Sequence, residues 1–273
     1  METLFKEAAN EIKNKDYILI TAGAGMGVDS GLPDFRGKEG FWRAYPFAKK
    51  LKVSFEQMAN PYWFEKDPHL AWAFYGHRLN LYRETSPHEG FYKLLEIAES
   101  KKDYFVVTSN VDGQFQKAGF SENKIDEIHG SIHYLQCTIP CSNHIWSAKD
   151  TKIKIDFENF KALDPLPKCP YCQAVARPNI LMFGDFNWIG DREESQHIRF
   201  SNFLSKIDYG NLAIIEFGAG KAVPTIRMTS EHLANRYKAS LIRVNPRDYE
   251  VPKSHISIPM GAKEAIEKIY NYL

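Results

Sequence analysis

TAGAGMGVDSGLPDFRG (residues 21–37) follows directly on the apolar run Tyr17-Ile18-Leu19-Ile20. Glycines at the end of a buried strand let backbone N–H groups approach a phosphate, so Gly23-Ala24-Gly25-Met26-Gly27 reads as the opening of a nucleotide site. The usual dinucleotide fingerprint has a third glycine where this chain has Val28. The turn by itself is therefore weak evidence, and the remainder of the chain decides what it serves.

Outward from that turn, apolar runs recur at 17–21 (YILIT), 104–109 (YFVVTS), 179–183 (NILMF), 212–217 (LAIIEF) and 241–245 (LIRVN), with 255–259 (HISIP) as a candidate sixth. Helical patterns lie between several of them, as in PHEGFYKLLEIAES (87–100) and VPTIRMTSEHLANRYK (223–238). Strands alternating with helices predict an α/β fold: a doubly wound, Rossmann-like, mostly parallel sheet with helices on both faces. Two stretches break the alternation. Residues 38–86 are rich in aromatics and read as a helical module, whereas 131–176 hold all four cysteines in an irregular, lysine-rich setting. The expected organisation is a Rossmann-like NAD-binding domain from 1–37, 87–130 and 177–273. The helical module and a zinc-binding module would form a smaller inserted lobe, with a cleft beyond the carboxyl ends of the strands.

The chain has 273 residues, with 35 lysines and arginines against 34 aspartates and glutamates, a formal net charge of +1. No charge block favours nucleic acid or a membrane surface. The start, METLFKEAANEIKNK, carries an amphipathic stripe (Leu4, Phe5, Ala8, Ile12) rather than a signal peptide, and no apolar run has the length of a membrane span. A cytoplasmic location is the expectation.

Cys137-x3-Cys141 and Cys169-x2-Cys172 form two close pairs separated by residues 142–168. Two knuckles that each donate a thiolate pair meet the tetrahedral demand of zinc without a large core. Buried thiols and two disulfides are the alternatives, and disulfides fit a cytosolic chain poorly. His144, close behind the first pair, leaves a Cys3His set open. With four thiolates available, the ion would be structural.

Taken in order, the opening stretch, SNVDG (109–113), IHG (128–130), the paired cysteines and FGD (183–185) resemble the sirtuins, the NAD-dependent protein deacylases, from about Tyr17 to Ala262. The resemblance implies that Gly23-Ala24-Gly25 binds the NAD diphosphate and that Asp34-Phe35-Arg36, after Pro33, belongs to a cofactor loop. Ser109, Asn110 and Asp112 would then flank the nicotinamide ribose and carboxamide, and His129 would be the catalytic base. Gly218-Ala219-Gly220, Asn245 and Ala262 would surround adenosine, and Phe183-Gly184 would pair with a substrate peptide carrying an acylated lysine. Chemistry agrees for His129, because an imidazole titrates near neutral pH and can accept a ribose hydroxyl proton.

The expected reaction transfers a lysine acyl group to NAD as nicotinamide leaves, giving O-acyl-ADP-ribose. Within WAFYGHRLNLY (72–82), Tyr75 and Arg78 have the Tyr-x-x-Arg spacing of sirtuins that act on acidic acyl groups such as succinyl and malonyl. Arginine can hold a carboxylate with two parallel N–H bonds and a tyrosine hydroxyl can add a third.

Three positions depart from the family pattern. Ser109 stands for a glutamine, Gly27 for a serine, and Gly218-Ala219-Gly220 for Gly-Thr-Ser. Each missing hydrogen bond costs on the order of 1 kcal/mol. These departures keep two alternatives open: NAD hydrolysis or ADP-ribosyl transfer in the same cleft, and an idle NAD-sensing module.

Overall fold

The computed structural model describes residues 1–34 and 37–273. In chain order the elements begin with α1 (Glu2–Lys13) and β1 (Tyr17–Ala22), followed by a 3-10 segment, Ala24–Ser30. Five helices follow: α2 (Gly37–Ala44), α3 (Pro46–Leu51), α4 (Phe55–Met58), α5 (Tyr62–Lys66) and the long α6 (Pro68–Glu84). The chain then runs through α7 (Glu89–Glu99), β2 (Asp103–Thr108), α8 (Gln114–Lys117) and β3 (Ile125–Glu127). Short strands come next: β4 (Gly130–Cys137), β5 (Ile145–Ser147), β6 (Ile155–Asp156), β7 (Lys161–Ala162) and β8 (Ala176–Ile180). The last part is α9 (Asp191–Leu204), β9 (Leu212–Phe217), α10 (Thr225–Tyr237), β10 (Ser240–Val244), β11 (Ile256–Ile258) and α11 (Ala262–Tyr270).

Six strands make the main sheet in the order β11-β10-β9-β1-β2-β3, every pair parallel. Side-chain alternation along β1 explains the two helical layers. Ile18, Ile20 and Ala22 point into one core with Phe5, Phe91 and Ile266 from α1, α7 and α11. Tyr17 and Leu19 point into another with Phe200, Phe203 and Leu233 from α9 and α10. A strand covered on both faces reads as an unbroken apolar run, which is why YILIT is legible as buried parallel strand.

Strand order reverses between β1 and β9, and ligands of open α/β sheets bind beyond the carboxyl ends of the strands at that switch. The 21–37 turn leaves the sheet there.

Two sequence expectations change. NILMF (179–183) does not enter the main sheet: β8 ends at Ile180 and pairs antiparallel with β4, Gly130 opposite Ile180 and Ser131 opposite Asn179. Asn179 donates its side-chain amide to Gln136 and to the Ile189 carbonyl, which holds the segment on the small sheet β5-β4-β8. The place in the main sheet goes to β3, whose sequence Ile-Asp-Glu has too little apolar character to announce a strand.

A third core joins α2–α6 to the cysteine-bearing segment. Trp72 Nε1 donates to the Ala176 carbonyl at 2.8 Å, Arg83 to the Thr151 carbonyl at 2.6 Å, and Gly76 leaves room for the Ile153 side chain. Among the described residues, no helix is long and apolar enough to cross a membrane.

Candidate active site

The switch point is built by backbone against backbone. Gly23 N–H donates to the Phe217 carbonyl at 2.9 Å and Gly25 N–H to the Gly218 carbonyl at 3.1 Å, so the turns after β1 and β9 touch. Gly218 has φ +59°, and a β-carbon there would lie 2.4 Å from Gly25 and Met26 backbone atoms. Only glycine meets both demands. Asn110 Nδ2 donates to the Gly23 carbonyl at 3.0 Å, tying the exit of β2 to the same turn.

These turns form one wall of a cavity of about 390 Å³. Gly23, Ala24, Asp34, Ser109, Asn110, Asp112, His129, Gly218, Ala219 and Gly220 all line it, together with Tyr75, Arg78 and Phe183. His129 follows β3 and is anchored on two sides. Its imidazole hydrogen-bonds to the Ser109 backbone, and its carbonyl accepts from Leu181 N–H at 3.0 Å. Gly130, with φ +74°, lets the chain pass the Asn179 carbonyl, where a β-carbon would stand 2.2 Å away. That close approach accounts for the His-Gly pair.

Burial holds the His129 imidazole below its ordinary value, although the bond to Ser109 works in the opposite direction. A lowered value keeps the ring neutral, and hence a base, at neutral pH. Asp112 responds the other way: burial, reinforced by Glu127, pushes its carboxyl up to about 6, against the Gln114 N–H that donates to Oδ1 at 2.9 Å.

Another part of the lining comes from α6. Tyr75 and Arg78 are both buried, and the guanidinium centre lies 5.4 Å from the Phe74 ring centroid and 5.7 Å from that of Tyr75. Arg78 Nε donates to Tyr82 Oη at 2.9 Å. The Tyr75 hydroxyl is buried and has no hydrogen-bond partner among the described residues. A buried, unpaired hydroxyl beside a guanidinium on a cavity wall suits a ligand that brings an acceptor.

Several expected site residues fall outside this lining. Gly25 lies beneath it, in contact with Gly218, and Gly27 is buried against Leu32. Asn245 is fully buried. Its Nδ2 donates to the Ala219 carbonyl and its Oδ1 accepts from Arg247 and Asp248 N–H, so it shapes the Gly218–Gly220 loop from behind. Ala262 starts α11 and packs in the core. Gly184, with φ +68°, follows Phe183, whose N–H donates to the Ala59 carbonyl at 2.9 Å. Phe35 and Arg36 lie outside the described residues.

Tyr82 is a wall residue that the sequence reading passed over. Its signal was present as the i, i+4 spacing from Arg78 on the same helix. Leu32, Phe55, Val111 and Met182 add apolar surface that no motif marks.

The four cysteines converge: Cys137 and Cys172 sulfurs are 3.5 Å apart, Cys141 and Cys169 sulfurs 3.6 Å, and all four lie within 4.8 Å of one another. None forms a disulfide. The hydrogen bond with Cys169, with burial, pushes the Cys141 thiol up to about 12; at Cys169 burial raises the thiol, but backbone N–H groups of Cys172 and Tyr171, with the neighbouring thiols, outweigh it and bring it down to about 7. Four thiolates at this separation fit one tetrahedral zinc ion. His144 is not among them, its ring stacking on Trp146 at 5.6 Å between centroids.

The Sir2 family profile matches residues 23–197. An NAD-dependent protein deacylase of Aquifex aeolicus is 27% identical over 267 residues, covering 96% of this chain and 97% of its own length. NAD-dependent protein deacylase 1 of Caldanaerobacter subterraneus subsp. tengcongensis is 31% identical over 265 residues, 95% of each chain. A solved Sir2 homologue in complex with NAD superposes with a TM-score of 0.73 at 23% identity, over 97% of this chain and 92% of that one, which establishes likeness of fold. With the family profile matching most of the chain and a relative 31% identical over 95% of it, the chain is a member of the Sir2 family.

Proposed function

We propose that this chain is an NAD-dependent protein deacylase that removes acyl groups from lysine side chains. The observation that carries the reading is one cavity holding the two glycine turns, Asn110, Asp112 and the neutral-held His129. Family membership and the deacylase relatives point the same way. NAD, when bound, would supply an activated ribose: nicotinamide leaves, one water is consumed, the lysine amine is freed and the acyl group ends on the ribose as O-acyl-ADP-ribose.

The residues divide that work by position. The Gly23 and Gly218 turns, with little side chain in the way, let backbone approach a diphosphate. Asn110 and Asp112 offer directional polar atoms at the carboxyl end of β2. His129 takes a proton from a ribose hydroxyl, while apolar Leu32, Val111 and Met182 exclude water. Phe183, which lines the cavity, begins the segment along which a substrate peptide would lie as an added strand. Four thiolates hold a structural zinc ion.

The acyl group favoured by this site is an acidic one such as succinyl or malonyl. Tyr75 and Arg78 line the same cavity as the cofactor turns, where a guanidinium and a tyrosine whose hydroxyl has no hydrogen-bond partner among the described residues suit a carboxylate. We assign 1–37, 87–130 and 177–273 to NAD binding and 38–86 with 131–176 to the small lobe; membership of the main sheet supports this for all but the β4–β8 pairing, which straddles the boundary. Four unbridged cysteines suit a reducing, cytoplasmic setting.

The test is a mass-spectrometric assay with NAD and matched acetyl-lysine and succinyl-lysine peptides. Peptide-dependent O-acyl-ADP-ribose is expected, with the succinyl peptide preferred. Nicotinamide released equally with and without peptide would overturn deacylation, and a strict acetyl preference would overturn the acidic pocket alone.

A further inference from the structure

The outer edge of the main sheet carries a group of metal-ligating side chains that the deacylase site does not use. β3 is the edge strand, and α9 packs along it. Glu193 and His197 are four residues apart on α9, so they share the face turned to β3. Asp126, from β3, completes the group, and one ligand atom from each of the three lies within 4.8 Å of the others. None of the three lines the cavity or belongs to the cysteine cluster.

We propose that Asp126, Glu193 and His197 form a second metal site, which takes a divalent first-row transition ion. His197 Nδ1 stands 3.1 Å from Asp126 Oδ2. Two ligand atoms each about 2.1 Å from one ion at right angles lie roughly 3 Å apart, so this pair is spaced as neighbours in a coordination shell. An imidazole with two carboxylates suits zinc, manganese or iron, with water completing the shell.

The second, independent observation is Asp126 itself. Its side chain is fully buried, and Oδ1 has no hydrogen-bond partner among the described residues. A plain His–Asp hydrogen bond accounts for Oδ2 but leaves Oδ1 desolvated without compensation. It also leaves Glu193 facing a like charge. Glu127 Oε2 is already engaged by Arg192 and Gln196. A divalent ion satisfies both the orphaned oxygen and the carboxylate pair. His197 is 57% exposed in its side chain, which leaves an approach from solvent.

The measurement uses the whole protein with its cysteine cluster already loaded with zinc. Mn2+ is titrated and its free aqueous signal followed by electron paramagnetic resonance. The expected result is uptake of one Mn2+ per chain, displaced by stoichiometric Zn2+ as the order of divalent affinities requires. Glu193→Gln and His197→Ala, both at solvent-reachable positions, should keep the thermal transition of the metal-free site and weaken uptake at least about tenfold. Absence of saturable Mn2+ uptake, or uptake unchanged in both variants, would overturn the site.

Discussion

Tyr75 and Arg78 stand one turn apart on α6, both buried and both on the wall of the cavity that His129 lines. Arg78 is stacked among Phe74, Tyr75 and Tyr82 and bonded to the Tyr82 hydroxyl, so its fork is held in one orientation. Tyr75→Phe removes a donor without changing packing, and Arg78→Lys keeps the charge but loses the planar fork. Each should lower kcat/KM for a succinyl-lysine peptide by roughly tenfold or more, and leave the acetyl-lysine value within about threefold. Parallel losses on both peptides would mean that the pair supports the fold and not the acyl group.

The pH profile follows from His129. Burial lowers its pKa from 6.5, so the free enzyme keeps its base form to a more acidic pH than an exposed histidine would. The acidic limb of kcat/KM should therefore have its midpoint below about 6.5. His129→Ala should abolish turnover and leave NAD binding measurable by calorimetry. A midpoint above 7 would contradict the neutral-held imidazole.

Asp112 couples function to stability. Its carboxyl is raised by burial from 3.8 to about 6, so the stability it confers is full below about pH 4 and is lost as pH rises through 6. Asp112→Asn keeps the acceptor for Gln114 N–H and removes the cost of a buried charge. The variant should gain on the native protein in urea denaturation between pH 4.5 and 8, by up to roughly 3 kcal/mol, while losing activity. An equal difference between the two proteins at both pH values would refute the shift.

Removing zinc tests the small lobe. Cys137 belongs to β4 and Cys169 and Cys172 lie just before β8, so the cluster clips together a sheet of only three short strands. Cys141→Ser, or a strong chelator, should release the ion, lower the melting temperature and reduce deacylation at least about tenfold. Full activity in a metal-free preparation would show that the sheet stands without it.

Much of this site is readable in the chain because its chemistry is local. The glycine turn follows a strand, the cysteines come in knuckle pairs, and His129 is joined to a glycine that the Asn179 carbonyl requires. Asn245 is different. The resemblance implies a place for it at adenosine, whereas in this fold its side chain holds the Ala219 carbonyl and the Arg247 and Asp248 amides, contacts that no spacing foretells. β3 was missed because a three-residue strand with two buried carboxylates has no apolar period, and its partners Arg192, Gln196 and His197 are about seventy residues away.

The amino-acid sequence alone determined the alternation of buried strands and helices, the turn at the end of β1 and the pairing of thiols, since each is set by periodicity or by neighbours within a few residues. Only the tertiary structure decided that NILMF leaves the main sheet, that Tyr82 joins Arg78 at the cavity wall, and that Asp126 meets Glu193 and His197 at the sheet edge. Those outcomes depend on long-range pairing and on which buried polar atoms find partners, and both are fixed only when distant segments pack together.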